Sequence, residues 1–151
     1  MASTLAMTDD RQMSHDDWPF YWLTRAHNRY LDALSSALAG TGLDATMWRI
    51  TMILKDCEWL SVSEIAVQAN TKLSTMTKAV QRMEAAGLVT SRPGERDRRV
   101  TEVRMTDAGQ AQVESAVAAT RHVYNRAFGN IDQARLKALT ELLGEVAENL
   151  R

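Results

Sequence analysis

The side chains best suited to chemistry in this sequence are small polar and basic groups that recur at helical spacing between residues 72 and 82. On a helix they share the outer face, because residues three and four apart lie side by side. A helix that carries such groups fits the major groove of DNA, where they can hydrogen-bond base edges and phosphates. We therefore expect DNA contacts from Lys72, Ser74, Thr75, Thr77, Lys78, Gln81 and Arg82.

A compact turn rich in arginine follows this segment. It contains Pro93-Gly94 and lies between two runs of strand-forming residues, which predicts a β-hairpin. Guanidinium groups bind phosphates through paired hydrogen bonds and also enter narrow minor grooves. The DNA contacts expected from the hairpin are Arg92, Arg96, Arg98 and Arg99.

The charge of the whole chain gives no sign of a nucleic-acid partner, since its 151 residues carry a formal net charge of −1. Between Lys72 and Arg104, however, eight basic and four acidic side chains give a local net charge of +4. A polar helix face or an arginine-rich turn, taken alone, is also typical of a solvated surface. The succession of the two features is more specific for DNA binding than either one.

Two predicted helices position these groups. Ser61 and Glu64 have the spacing of a capping box and begin a short helix that extends to about residue 69. The next helix extends from about Leu73 to Ala86, and Gly87 ends it where a left-handed residue is usual. A short helix, a tight turn, a second helix and a charged hairpin together predict a winged helix-turn-helix.

Helical periodicity on both sides of this block completes the organisation of the chain. The predicted fold class is mainly α with a small β-hairpin wing, in which a winged helix-turn-helix domain adjoins a helical dimerisation region. We assign residues 1–16 to a disordered N-terminal segment and residues 41–105 to the winged helix-turn-helix lobe. Residues 17–40 and 106–151 form the helical dimerisation region in this assignment.

The C-terminal sequence favours a homodimer. The last predicted helix carries an apolar stripe whose residues are three and four positions apart, as in a short coiled coil. Its residues are Leu136, Leu139, Leu143, Val146 and Leu150. Two-fold symmetry would match a pseudo-palindromic site on double-stranded DNA with half-sites roughly 10 bp apart. Packing of these helices within a single chain is the alternative.

Several motifs, taken in order, resemble the MarR family of bacterial transcriptional regulators. They are Gly42-Leu43-Asp44, Trp48-Arg49-Ile50, Ser61-Val62-Ser63-Glu64-Ile65-Ala66, Ser74-Thr75-Met76-Thr77-Lys78, Glu84-Ala85-Ala86-Gly87-Leu88-Val89, Asp97-Arg98-Arg99 and Met105-Thr106-Asp107-Ala108-Gly109. The similarity covers roughly residues 18–150. It implies an obligate homodimer in which each winged lobe reads half of a palindromic operator, and many relatives are repressors released by small aromatic compounds. Lys72-Leu73 departs from the pattern, which leaves the operator sequence open.

A ligand pocket is expected where the first two helices meet the winged lobe. An aromatic wall beside an arginine would bind a flat organic acid, because the ring stacks and the guanidinium takes the carboxylate. The expected effector is a small aromatic carboxylate, either phenolic or indolic, with Arg25 as the preferred contact. The candidate residues are Trp22, Arg25, His27, Arg29, Tyr30, Met47, Trp48, Arg49 and Met52. Core packing of Trp48 and Met52 and an ion-pair role for Arg49 are the alternatives.

Other classes of protein lack support in the sequence. It contains no glycine-rich phosphate loop and no nucleophile elbow, so an enzyme is not expected. Its three histidines and single cysteine are scattered, so neither a metal nor a cofactor is expected. One cysteine and the lack of a signal or membrane span favour the cytoplasm. Two alternatives remain: a helical dimer whose winged lobe binds a protein, and a DNA-binding regulator switched by oxidation of Cys57.

Overall fold

The computed structural model describes residues 14–151 as a mainly helical chain with one small antiparallel sheet. The helices are α1 (Pro19–Leu38), α2 (Ala45–Leu54), α3 (Val62–Gln68), α4 (Leu73–Ala85), α5 (Asp107–Phe128) and α6 (Gln133–Asn149), and the strands are β1 (Leu60–Ser61), β2 (Val89–Pro93) and β3 (Thr101–Met105). The predicted fold class is confirmed. Most of the expected disordered segment, residues 1–13, lies outside the described residues, and His15–Asp17 form one 3-10 turn before α1.

Polar side chains begin four of the helices by accepting hydrogen bonds from otherwise unpaired amides. In the predicted capping box, Ser61 Oγ accepts from the Glu64 amide at 3.1 Å, and Glu64 Oε2 accepts from the Ser61 amide at 2.9 Å. The hydrogen bonds from Ser61 lower the pKa of Glu64, because they stabilise its carboxylate. Asp44, Thr106 and Asp132 cap α2, α5 and α6 in the same way.

The sheet has the strand order β1-β3-β2, with β3 in the centre. In the predicted hairpin, Val89 lies opposite Met105 and Pro93 lies opposite Thr101. The strand β1 was not predicted, because two residues are too few to show an alternating pattern. It pairs Leu60 with Val103 and so attaches the hairpin to the residues that lead into α3.

The hydrophobic core lies inside the winged lobe and extends into its neighbours. Ile50, Ile65, Met76, Met83 and Val103 are fully buried at its centre. Leu34 and Leu38 of α1 and Val113 and Ala116 of α5 join the same core. The lobe of residues 41–105 is therefore packed against the end of α1 and the beginning of α5.

The beginning of α5 lies directly against the end of α4. Gly87 has a positive φ of 73° and ends α4 as predicted. Thr106 Oγ1 donates to the Gly87 carbonyl at 2.7 Å, and the Thr106 amide donates to the Leu88 carbonyl at 3.1 Å. Gly109 follows on the first turn of α5, where an added Cβ would collide with the Leu88 carbonyl oxygen. A glycine is thus required at this close approach.

We expect Gly109→Ala to destabilise the protein by about 1–3 kcal/mol, because either α5 or the Leu88 backbone must move to admit the methyl group. Chemical denaturation measures the free energy of unfolding. Gly144→Ala is the matched control, since a Cβ there meets nothing within 4 Å and alanine favours a helix by up to about 1 kcal/mol. Equal stability of the two variants would refute the close approach.

Candidate nucleic-acid interface and ligand crevice

The helix α4 separates an apolar inner face from a polar outer face. Met76, Ala79, Val80 and Met83 are buried on the inner face. Thr77 is half-buried, and its hydroxyl donates to the Leu73 carbonyl at 2.9 Å. The other residues predicted from this helix and its N-cap are all exposed: Lys72, Ser74, Thr75, Lys78, Gln81 and Arg82. Arg82 also pairs with Asp44 at 3.0 Å.

The turn between β2 and β3 forms the wing. Its backbone is closed by a hydrogen bond from the Gly94 amide to the Val100 carbonyl at 2.8 Å. Arg99 pairs with Asp97 at 3.0 Å, which lowers the pKa of the Asp97 carboxyl and raises that of the Arg99 guanidinium. Arg96 and Arg98 project from the same turn and are exposed.

Arg92 differs from the other wing arginines because its guanidinium is surrounded by protein groups. It bonds to Glu102 through Nε at 3.0 Å and to Glu95 through Nη2 at 2.9 Å. It also lies 4.0 Å from the ring centroid of Trp59, whose ring contacts Arg104 at 5.1 Å. Arg92, predicted as a DNA contact, is therefore held within the lobe by carboxylates and an indole ring. Sequence spacing could not identify this cluster, because Trp59 lies far from the hairpin in the chain.

The pairing of charges concentrates unpaired cations around α4 and the wing. The four carboxylates between residues 72 and 104 are each engaged by a neighbouring side chain: Glu84 accepts a hydrogen bond from Ser91, Glu102 from Arg92 and Asp97 from Arg99, and Glu95 forms an ion pair with Arg92. Within residues 14–151, five cations of the segment have no carboxylate partner: Lys72, Lys78, Arg96, Arg98 and Arg104, of which Arg104 lies against the Trp59 ring. The local excess of positive charge is thus available to solvent or to a polyanion.

The candidate ligand residues of α1 do not converge on the junction with the winged lobe. Trp22 Nε1 donates to the Asp16 carbonyl at 2.8 Å, and Arg25 donates to the Tyr21 hydroxyl at 2.9 Å. His27 and Tyr30 are exposed. Arg29 lies further along the helix and faces α5.

Three of the four candidate ligand residues of α2 make contacts within the protein. Met47 and Trp48 belong to the hydrophobic core, so packing accounts for both. Arg49 Nη1 donates to the Ala69 carbonyl at 3.1 Å, just after α3, where backbone carbonyls lack helical partners. Met52 is exposed and lies outside the core, so the alternative of core packing is wrong for this residue. The expected ion-pair role of Arg49 is replaced by this hydrogen bond.

An open crevice of about 560 Å³ lies between α1 and α5. Arg29 and Asp32 line it from α1, and His122 and Arg126 line it from α5. Ala33, Ala37 and Val123 supply apolar surface between these groups. Two guanidinium groups beside apolar surface can bind an organic anion. Arg126 was not predicted, because the register between two helices so distant in sequence is set by packing.

The part of the chain that the structure describes contains neither a metal-binding cluster nor a membrane span. Across residues 14–151, no three His, Cys, Asp or Glu side chains are grouped so that they could hold a metal ion. Over the same residues, every helix is too short or too polar to cross a membrane. Cys57 is half-buried and unpaired in this part of the chain.

Comparison with known proteins gives the family. A sequence profile of the MarR family matches residues 43–101. The HTH-type transcriptional repressor IacR of Pseudomonas putida is 40% identical over 135 residues, which span 89% of this chain and 81% of the relative. The chain belongs to the MarR family. As a member of the MarR family it is a DNA-binding transcriptional repressor and not an enzyme.

Solved structures share the fold of this chain. Rhodococcus jostii CouR, solved with bound p-coumaroyl-CoA, superimposes with a TM-score of 0.82 at 22% identity and covers 89% of this chain and 95% of its own. A mutant E. coli MarR complexed with operator DNA superimposes with a TM-score of 0.76 at 18% identity, covering 87% and 96% respectively. These similarities confirm the winged helix architecture.

The cluster around Arg92 generates a prediction about stability. We expect Arg92→Met to lower the free energy of unfolding by about 1–3 kcal/mol, because it removes charge-assisted hydrogen bonds and a cation–π contact. Urea denaturation measures the change. Arg98→Met is the control, since an exposed and unpaired arginine should contribute less than about 0.5 kcal/mol. Equal losses in both variants would show that the cluster does not stabilise the wing.

Proposed function

We propose that the protein is a homodimeric repressor that binds a pseudo-palindromic operator and is released from it by a small aromatic carboxylate. The observation that carries this proposal is the outer surface of α4 and the wing, where unpaired cations and small polar groups lie together. Double-stranded DNA offers phosphates to the cations and base edges to the polar groups.

Each part of this surface has its own role in the proposal. The α4 residues Ser74, Thr75, Lys78 and Gln81 face base edges, and Thr77 stabilises the first turn of the helix. Lys72 and Arg82 bind phosphates at the two ends of α4. Arg96, Arg98 and Arg99 bind phosphates or enter the minor groove from the wing. Arg92 acts indirectly by holding the wing against Trp59.

The exposed apolar surface supports the dimer. No residue of α6 is buried within residues 14–151. Large apolar side chains are exposed both on α6 and near the beginning of α1: Leu139, Leu142, Leu143, Val146 and Leu150, together with Trp18, Phe20, Trp22 and Leu23. Exposed apolar surface of this extent marks an interface. We assign residues 17–40 and 106–151 to dimerisation and residues 41–105 to DNA binding.

The crevice between α1 and α5 supports an acidic effector. Arg29 and Arg126 would share the carboxylate, and the alanines and Val123 would contact the ring. The relative CouR binds an aromatic acyl thioester, p-coumaroyl-CoA, which has similar ring chemistry. Arg29 replaces Arg25 as the preferred contact for the carboxylate, because the Arg25 guanidinium already donates a hydrogen bond to the Tyr21 hydroxyl.

Release follows from a difference in affinity between two states of the dimer. In one state of the dimer, the spacing of the two lobes does not match successive major grooves. If the effector binds this state better, it lowers operator affinity by the ratio of its affinities for the two states. The effector must then bind the free dimer more tightly than the dimer on DNA, because the coupling is reciprocal.

The wing assignment predicts the salt dependence of DNA binding. Arg98→Ala should weaken binding to all sequences alike and reduce the slope of log affinity against log salt by about 0.9 for each wing, because one phosphate contact is lost. Fluorescence anisotropy over a salt series, with DNA from upstream of the gene and with unrelated DNA, measures both effects.

Arg121→Ala is the control for this experiment, since Arg121 is exposed on α5 outside the DNA-binding lobe. It should leave the slope unchanged. An unchanged slope for Arg98→Ala would remove the wing from the interface. Binding by the parent protein that is weak and independent of salt would favour a lobe that binds a protein partner instead.

The crevice predicts which arginine the effector needs. Arg29→Met should abolish release of the operator by indole-3-acetate or 4-hydroxycinnamate and weaken their binding by about 10- to 150-fold, since a hydrogen bond to a charged group contributes about 1.5–3 kcal/mol. Calorimetry on the free dimer measures the affinity, and the corresponding amides test the need for a carboxylate.

Arg25→Met is the matched control and should respond as the parent does. The opposite result, loss of response in Arg25→Met alone, would move the carboxylate contact to Arg25. If both amides release the operator as well as the acids do, the effector is not recognised by its charge.

A further inference from the structure

One side chain of α4 has no role in the DNA contacts described above. Leu73 is the first residue of the helix and is 52% exposed. Every other large apolar side chain of α4 is buried: Met76, Val80 and Met83. Leu73 is therefore the one large apolar side chain that α4 exposes, at the head of an otherwise polar face.

Leu73 lies at the edge of a groove next to the wing. It lines a groove of about 440 Å³ between α4 and the wing, together with Thr77, Val80 and Val100. Its carbonyl accepts the hydrogen bond from the Thr77 hydroxyl at 2.9 Å, which fixes the first turn of the helix. One side of the leucine is therefore covered by its own lobe, and the other side remains open.

The position of Leu73 is that of a base contact. In helix-turn-helix proteins the N-terminal residues of the second helix meet the base edges in the major groove. Lys72 precedes Leu73 and Ser74 follows it, and both are exposed polar residues. Leu73 thus occupies the end of the helix that would lie deepest in the groove, between groups suited to phosphates and bases.

The chemistry of the groove determines what a leucine can recognise there. Leucine has no hydrogen-bonding group, and the C5-methyl of thymine is the apolar group that the major groove offers. We propose that Leu73 contacts a thymine methyl group in each half-site and thereby specifies a T·A pair. This inference rests on the proposed function, since it requires that α4 enter the major groove.

Val67 provides a comparison within the same motif. It lies on α3, the first helix of the pair, and is 80% exposed, more than Leu73. The first helix crosses the DNA backbone and does not read bases. If exposure of an apolar side chain near the DNA were sufficient for contact with a thymine methyl group, both residues would make that contact. We expect it from Leu73 alone.

The test removes the methyl group from the DNA. The full-length protein first selects a duplex from a random library, and each thymine of the selected site is then replaced by uracil, which keeps the base pair and deletes the methyl. One position should be sensitive, together with its symmetry mate in the other half-site. Replacing thymine by uracil at that position in a single half-site should lower the affinity of the parent protein about fourfold, since one buried methyl group contributes about 0.8 kcal/mol. Replacement in both half-sites should cost the square of that factor.

Variants identify the residue that reads the methyl group. Leu73→Ala should bind thymine and uracil equally at the sensitive position, and Leu73→Met should retain most of the discrimination. Val67→Ala should discriminate as the parent does. Thermal unfolding of each variant checks that the fold is intact.

Two results would overturn the inference while leaving the regulator in place. One is a selected site at which no uracil substitution changes the affinity of the parent. The other is a Leu73→Ala protein that discriminates as strongly as the parent. If no sequence is enriched from the library at any salt concentration, DNA reading itself fails, and the inference fails with it.

Discussion

The contact of Gly109 with the Leu88 carbonyl joins the proposed DNA-binding lobe, residues 41–105, to the long helix α5. Thr106 reinforces the contact, because it caps α5 and also donates to the Gly87 carbonyl. The end of α4, the beginning of β2 and the first turn of α5 are therefore connected through backbone groups within a few ångströms. A displacement of α5 must move α4 or break these hydrogen bonds. The proposed effector crevice is therefore connected to the proposed DNA interface through the continuous helix α5 and these backbone contacts.

Charge pairing explains how a chain with a net charge of −1 can present a basic surface. The carboxylates near the wing are engaged by Ser91, Arg92 and Arg99, and these contacts shape the hairpin. The basic groups that remain unpaired lie on its outside. Arg92 and Arg98 show the division clearly, since one is enclosed by two carboxylates and an indole and the other faces solvent. Total charge is thus a poor guide to the partner of such a protein.

Local signals in the sequence were sufficient for most of the fold. The capping box at Ser61, the left-handed Gly87 and the hairpin around Pro93-Gly94 each depend on neighbours along the chain, and each was predicted. The strand β1, the Trp59 cluster and the place of Arg126 depend on contacts between distant segments, so composition and spacing carried no signal for them. The four wing arginines looked alike in the sequence, and only the fold separates Arg92 from the rest.

Two-fold symmetry bears on the strength of the proposed switch. To move a dimer from 1:99 to 99:1 between two states, a ligand must favour one of them by about 5.5 kcal/mol. The hydrogen bonds from Arg29 and Arg126 would each contribute about 1.5–3 kcal/mol, so one crevice would supply about 3–6 kcal/mol and reach the required value only near its upper limit. Two symmetric crevices would together supply about 6–12 kcal/mol if the protomers change state together. A homodimer therefore lets a small acid, with two charged contacts per protomer, exceed the free energy needed to release an operator.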